Sequence, residues 1–425
     1  MENIYISNMN DLLLCITKAI NLINPEIDNH HQQVAYLSYN IAREMHVPID
    51  DLRPLIIAAM LHDVGSIAFG EDDLVLEEGG DIANAHAFAA YKLLKDFRHF
   101  RTVAKIIKYH HLPWNQGAGM KFSGEAVLYP SHIINLADKV VTRLNRYEPI
   151  LNQVPRIIRY VNNNKGTIFS DAVVDAFEKM SEKEAVWLYL TNAPEIVNEI
   201  MDDAISASKL TVDDVVDLTN IFARIIDFRS PFTAMHSAGV AASAVELARH
   251  AGFSANECKM MKIAGNLHDI GKVRIPKAIL EKDSKLTTEE FNVMKEHSFY
   301  TYMLLKDVQG LEQITEWAAY HHEKMNGTGY PFHLKAEELP LGSRIMAVAD
   351  IFTALTEDRP YRMGMDVKKA LDIIIEKTNN NDVSKYISTI LIRYSDDVFS
   401  VSKTAAANAV NTYNTFMKQM KVNRK

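Results

Sequence analysis

The chain has 425 residues, enough for roughly two to four domains. Apolar residues make up 48%, charged residues 24%, and there are only 17 glycines and 13 prolines, which excludes a disordered, collagen-like or turn-rich β chain. With 54 acidic against 46 basic residues the net charge is −8, so a nucleic-acid polymer is not expected as a partner.

The first apolar run, Leu12-Leu13-Leu14-Cys15-Ile16, is short. A signal core needs about 7–15 apolar residues and a membrane span about 18 or more, so neither is expected. Cys15 and Cys258 form no CxxC pair and read as small apolar residues. A cytoplasmic protein in a reducing compartment follows.

Helical periodicity dominates from there on. Val34–Ala42 repeats its apolar positions at three and four, and Val240–Ala248 does the same. Asn162–Gly166 reads as a loop. Thr211-Val212-Asp213-Asp214 opens a helix running to about Ile226, with a hydroxyl cap and a carboxylate three residues on. Thr287-Thr288-Glu289-Glu290 opens another. Gly327, Gly329 and Pro331 mark a loop, Leu371–Ile375 a buried helix, and Asn379–Asp382 a second loop. The basic end, Lys418–Lys425, reads as a fraying helix. No strand ladder is evident, and the expected class is all-α.

Histidine carries the strongest signal. His30, His62-Asp63, His86, His110-His111 and Asp138 are followed by His236, His268-Asp269, His297, His321-His322 and Asp350. His30 and His62 are 32 residues apart, as are His236 and His268; His86 and His110 are 24 apart, as are His297 and His321. Met60-Leu61-His62-Asp63-Val64-Gly65 also matches Asn266-Leu267-His268-Asp269-Ile270-Gly271. A duplication explains this: two homologous helical domains in tandem, expected over 1–205 and 206–425.

Imidazole with carboxylate and no thiolate suits Fe, Mn, Co, Ni or Zn in a reactive site rather than a structural zinc cluster. Seven ligands per copy suit two ions, with the Asp of each His-Asp pair able to bridge. Such a pair of ions clamps a phosphate oxygen and acidifies a water, which points to phosphate-ester hydrolysis.

These motifs resemble the HD superfamily of metal-dependent phosphohydrolases. The second copy is similar to its HD-GYP subgroup, through Leu267-His268-Asp269-Ile270-Gly271-Lys272, through His321-His322-Glu323-Lys324-Met325-Asn326-Gly327-Thr328-Gly329-Tyr330-Pro331, and through Asp350-Ile351-Phe352-Thr353-Ala354-Leu355-Thr356-Glu357-Asp358-Arg359-Pro360-Tyr361-Arg362. The resemblance is close over 215–375 and looser over 20–145. It implies an all-helical fold and hydrolysis of cyclic di-GMP or 3′,3′-cyclic GMP-AMP to a linear 5′-phosphorylated dinucleotide. Carried across, the metal ligands are His236, His268, Asp269, His297, His321, His322 and Asp350, with Asp269 bridging. Lys272 faces the scissile phosphate, and Gly329, Tyr330, Pro331, Arg359 and Arg362 contact substrate.

Some members carry a third metal on a Glu four residues before the first His. Phe232 stands there, so the second domain is expected to hold two ions, Fe or Mn favoured over Ni, Co or Zn. Asn326 replaces the usual Asp of the GYP loop. The first domain keeps Glu26, His30, His62, Asp63, His86, His110, His111 and Asp138 as a second candidate metal site. It has no GYP loop, and Ser66 stands where the lysine would be. It is expected to regulate the enzyme, or to remove the 5′-phosphate from the linear product. The competing readings are an HD-type nucleotidase or nucleoside triphosphohydrolase, and a receptor that binds cyclic dinucleotide without turnover. A homodimer is compatible with the sequence.

Overall fold

The computed structural model describes residues 5–23, 29–69, 81–193, 196–197, 199–200, 209–228, 231–358 and 363–422. The chain divides into two packed units, one of 24–208 with 420–425, the other of 1–23 with 209–419.

The two units repeat one plan. In the first, helix His30–Glu44 packs on helix Ile49–Leu61, followed by helices Asp81–Leu94, Arg101–Lys108 and Pro130–Val141. In the second the corresponding helices are Pro231–His250, Ala255–Leu267, Thr288–Leu305, Glu312–Ala319 and Leu341–Thr356. Burial explains the order. Every residue from Leu55 to Leu61 is buried, as are Met261 and Ile263 to Leu267, so the second helix of each unit runs into the core over its last two turns. It stops at the His-Asp pair, which delivers those side chains to the middle of the unit. Leu371–Ile375 is helical, as expected, but lies at the surface: Ile374 is buried and Ile375 is 41% exposed.

The glycine after each His-Asp pair sets the next contact. A Cβ on Gly65 would stand 2.1 Å from the His86 carbonyl oxygen, and one on Gly271 2.0 Å from that of His297. Only glycine lets the turn lie against the helix that brings the third histidine. Caps appear where expected: Thr211 accepts from Asp214 N while Asp214 accepts from Thr211 N, and Thr287 and Glu290 do the same.

Two further features depart from the sequence reading. Four short strands occur among the described residues: Tyr5–Asn8 pairs antiparallel with Lys209–Thr211, and Lys121–Phe122 with Glu125–Ala126. And the segment expected to open the 1–205 domain packs instead with the second unit. Helix Met9–Ile23 buries Leu12, Leu13, Ile16 and Ala19, packing against the turn Ile270–Arg274 and helix Thr288–Leu305. Asp11 accepts a hydrogen bond from the Gln309 amide at 3.2 Å. The cause is apolar: this helix carries a wide buried stripe that needs a partner. Among the described residues no helix is long and apolar enough to cross a membrane.

Candidate metal centre and cleft

In the second unit, five elements converge. His236 comes from helix Pro231–His250, and His268 and Asp269 follow helix Ala255–Leu267. His297 lies within helix Thr288–Leu305, His321 and His322 follow helix Glu312–Ala319, and Asp350 lies in helix Leu341–Thr356. All are buried except His322, which is half-buried.

Asp269 stands between two sets of histidines. Its Oδ2 is 3.1 Å from His268 Nε2 and 3.9 Å from His236 Nε2, while Oδ1 is 3.5 Å from His297 Nε2. His236 Nε2 lies 3.1 Å from Asp350 Oδ1, and His322 Nδ1 3.9 Å from Asp350 Oδ2. The ligating atoms of His236, His268 and Asp350 lie within 4.8 Å of one another, as do those of His297, His321 and His322.

The donor set fits cations. His268, His297 and His321 each donate Nδ1–H to a carbonyl three residues back, those of Gly265, Met294 and Ala318, at 2.7, 2.6 and 2.6 Å. A carbonyl only accepts, so Nε2 of a neutral ring is left with a bare lone pair. Burial pushes His297 down to about 3 and His321 well below its ordinary value, so both rings are neutral. Their Nε2 atoms nonetheless face each other at 3.3 Å. His268 Nε2 is buried and makes no hydrogen bond. Lone pairs crowded on a carboxylate in a dry site call for positive charge between them. Burial alone would raise the Asp269 carboxyl; His268 and Lys272 outweigh it and hold the group well below the carboxylate range. Against burial, Glu357 and Asp350 pull His236 up to about 10. Those carboxylates demand a cation at Nε2, which a proton or a metal ion supplies.

The cluster floors a cleft of about 780 Å3, the size of a small-ligand site. Lys272, on the turn after the His-Asp pair, pairs with Asp269 and lines it. Tyr330 stands on the wall, its ring 4.8 Å from that of His322. Gly329 and Pro331, expected at the substrate, do not line this cleft. Gly329 packs on the Glu323 backbone, where a Cβ would be 2.4 Å from Cα. Asn326 accepts from the Thr328 amide at 3.0 Å and donates to Asp382 at 3.1 Å, holding the loop's shape. Arg359 and Arg362 lie outside the described residues, as does Glu26.

Two buried carboxylates were not singled out in the sequence. Glu323 accepts from the Phe332 and Leu334 amides at 2.6 and 3.0 Å, strapping the GYP loop to the His-His pair. The carboxylate following that pair was its signal. Glu357 contacts His236, seven residues beyond Asp350 in a motif that gave no hint of this contact.

The first unit assembles its own cluster. Asp63 Oδ1 is 3.0 Å from His86 Nε2, and Oδ2 is 3.0 Å from His62 Nε2 and 3.7 Å from His30 Nε2. His30 Nε2 is 3.3 Å from Asp138 Oδ1, and His111 Nε2 is 2.9 Å from His86 Nε2. His110 Nε2 and Asp63 Oδ1 are buried without hydrogen bonds. Ser66, in the lysine position, donates back to the Asp63 carbonyl at 2.6 Å and offers no charge.

A model described as an HD domain matches residues 27–143, and another of the same description matches 220–383. The chain belongs to the HD-domain family, with two copies in tandem and the HD-GYP motifs in the second. HD-domain phosphodiesterases are metal-dependent. The chain is 26% identical to the 3′3′-cGAMP-specific phosphodiesterase 1 of Vibrio cholerae over 405 residues, 93% of this chain and 94% of the relative. It is 36% identical to a cyclic di-GMP phosphodiesterase of Pseudomonas aeruginosa over 152 residues, 36% of this chain and 37% of the relative. A crystal structure of a cyclic GMP-AMP-specific phosphodiesterase of V. cholerae (V-cGAP3) superposes with a TM-score of 0.62 at 22% identity, covering 95% of this chain and 98% of that one. That likeness is one of fold.

Proposed function

We propose that the second unit hydrolyses a cyclic dinucleotide, adding water across one phosphodiester to leave a linear dinucleotide with a 5′-phosphate. The observation that carries this is the placing of Lys272 and Tyr330 in one cleft with five of the seven candidate ligands, His236, Asp269, His297, His322 and Asp350. His236, His268, Asp269, His297, His321, His322 and Asp350 would hold two divalent ions, Fe or Mn ahead of Ni, Co or Zn, with Asp269 shared between them. When bound, such ions polarise the phosphate and acidify the attacking water.

The chain's own groups supply the rest. Lys272, the lysine of the cleft that pairs with Asp269, balances charge gathering on the phosphate. Tyr330, Phe291, Met235 and Met294 give the wall an aromatic and apolar character suited to a nucleobase. Substrate choice favours 3′,3′-cyclic GMP-AMP over cyclic di-GMP. The relative aligned over nearly the whole chain carries the first name, whereas the cyclic di-GMP relative aligns over about a third.

The first unit would hold metal through His30, His62, Asp63, His86, His110, His111 and Asp138. Without a lysine or GYP loop it serves regulation or removal of the 5′-phosphate. We place the protein in the cytoplasm, and a homodimer remains compatible with it.

The test is product analysis. Metal-loaded protein, with Asp269→Ala and Asp63→Ala variants, is incubated with 3′,3′-cyclic GMP-AMP, cyclic di-GMP, cyclic di-AMP and mononucleotides. Linear dinucleotide absent from the Asp269 variant supports the reading. Loss of the 5′-phosphate that disappears with Asp63→Ala assigns that step to the first unit. Turnover of mononucleotides alone would make the protein a nucleotidase, and tight binding without turnover a receptor.

A further inference from the structure

His236 differs from five other candidate ligands in how its outer nitrogen is held. His62, His110, His268, His297 and His321 all turn Nδ1 to the backbone carbonyl three residues back. His236 turns Nδ1 to a carboxylate, Glu357 Oε2, at 3.0 Å. Both side chains are nearly dry, at 9% and 8% exposure. The ring therefore lies between two carboxylates, Glu357 at Nδ1 and Asp350 at Nε2.

We propose that Glu357 is a positioning residue for the metal centre: it fixes His236 as the Nδ1–H tautomer, aims Nε2 at the site and strengthens that nitrogen as a ligand. This rests on the metal reading of the second unit. A carboxylate behind a ligating imidazole does two things that a carbonyl does less well. It pins the ring by a charge-assisted hydrogen bond, and it pushes electron density toward the metal-facing nitrogen. Burial keeps water from screening either effect. The corresponding position of the first unit carries no carboxylate. Seven residues beyond Asp138, where Glu357 follows Asp350, stands Asn145, whose side-chain oxygen accepts from the Tyr147 amide at 3.0 Å in its own turn. At this position, among the described residues, the carboxylate stands in the unit that also carries Lys272 and Tyr330.

The experiment is a Mn²⁺ titration by calorimetry on the full chain in an Asp63→Ala background, which removes the first unit's cluster. It is paired with ¹⁵N-histidine spectra that report ring tautomers. Glu357→Ala should weaken Mn²⁺ binding about 10–100-fold, and the His236 ring should lose its fixed Nδ1–H form. Glu357→Gln keeps an acceptor but not the charge. It should hold the tautomer and bind several-fold more weakly than the parent, and it carries the test if the Ala variant does not fold. A parent that binds Mn²⁺, with either folded variant matching its affinity, overturns the role of Glu357 alone. A parent that binds no ion overturns the metal reading and this one with it.

Discussion

Gly271 and His297 meet so closely that the glycine's missing Cβ would lie 2.0 Å from the histidine's carbonyl oxygen. The third histidine is thus placed by the absence of a side chain two residues after Asp269. Gly271→Ala should cost about 1–3 kcal/mol, as overpacking of a tight core does, and shift His297 off the cluster. Thermal melting and metal stoichiometry check both effects. A variant with parental stability and metal content would contradict this packing.

Asp269 lies between the two sets of histidines, and its removal should cost metal before it costs fold. Asp269→Ala is expected to melt as a folded protein, to lose bound metal in elemental analysis, and to show no turnover. Retention of full metal content would mean that the ions, if bound, do not depend on this carboxylate.

Lys272 should separate binding from rate. Lys272→Ala is expected to keep its metal and lose about 10²–10³-fold in kcat, the usual cost of one charge-stabilising donor. Metal analysis beside steady-state kinetics makes the distinction; a change in KM alone would place Lys272 in ground-state binding only.

Glu323 holds the GYP loop through two backbone amides. Glu323→Ala leaves both amides without their acceptor, at a cost of about 1–3 kcal/mol each if they stay dry. The loop should loosen, shown by faster amide exchange at Phe332 and Leu334, and KM should rise while metal content holds. Unchanged exchange would show that the loop is held by other contacts.

Leu13 is fully buried in the helix that packs with the second unit. Leu13→Ala should destabilise that unit by about 2–5 kcal/mol. If the melting transition of the second unit were unmoved, the helix would be an accessory to it.

The site was largely legible because metal chemistry restricts residue type and a duplication repeats the restriction. His268-Asp269 and His62-Asp63 could be aligned by eye, and every described candidate ligand reaches a cluster. Glu357 could not be found this way, since its role depends on how one helix end approaches another helix. Gly329 was read from its motif as a substrate contact, and the motif did not show that this glycine also lets the backbone pack on Glu323. The helix Met9–Ile23 was misplaced for a different reason. Its short apolar run does not say which unit it will pack with, and nearness in sequence suggested the wrong one.

Tyr5 pairs with Thr211, so the opening strand and the strand that completes it are separated by the whole first copy. During synthesis that strand emerges long before its mate. At roughly 5–20 residues per second the wait is about 10–40 s, time in which the apolar stripe behind it must stay unclaimed. The second copy cannot finish folding from its own contiguous stretch alone. Its assembly is timed by the translation of its twin.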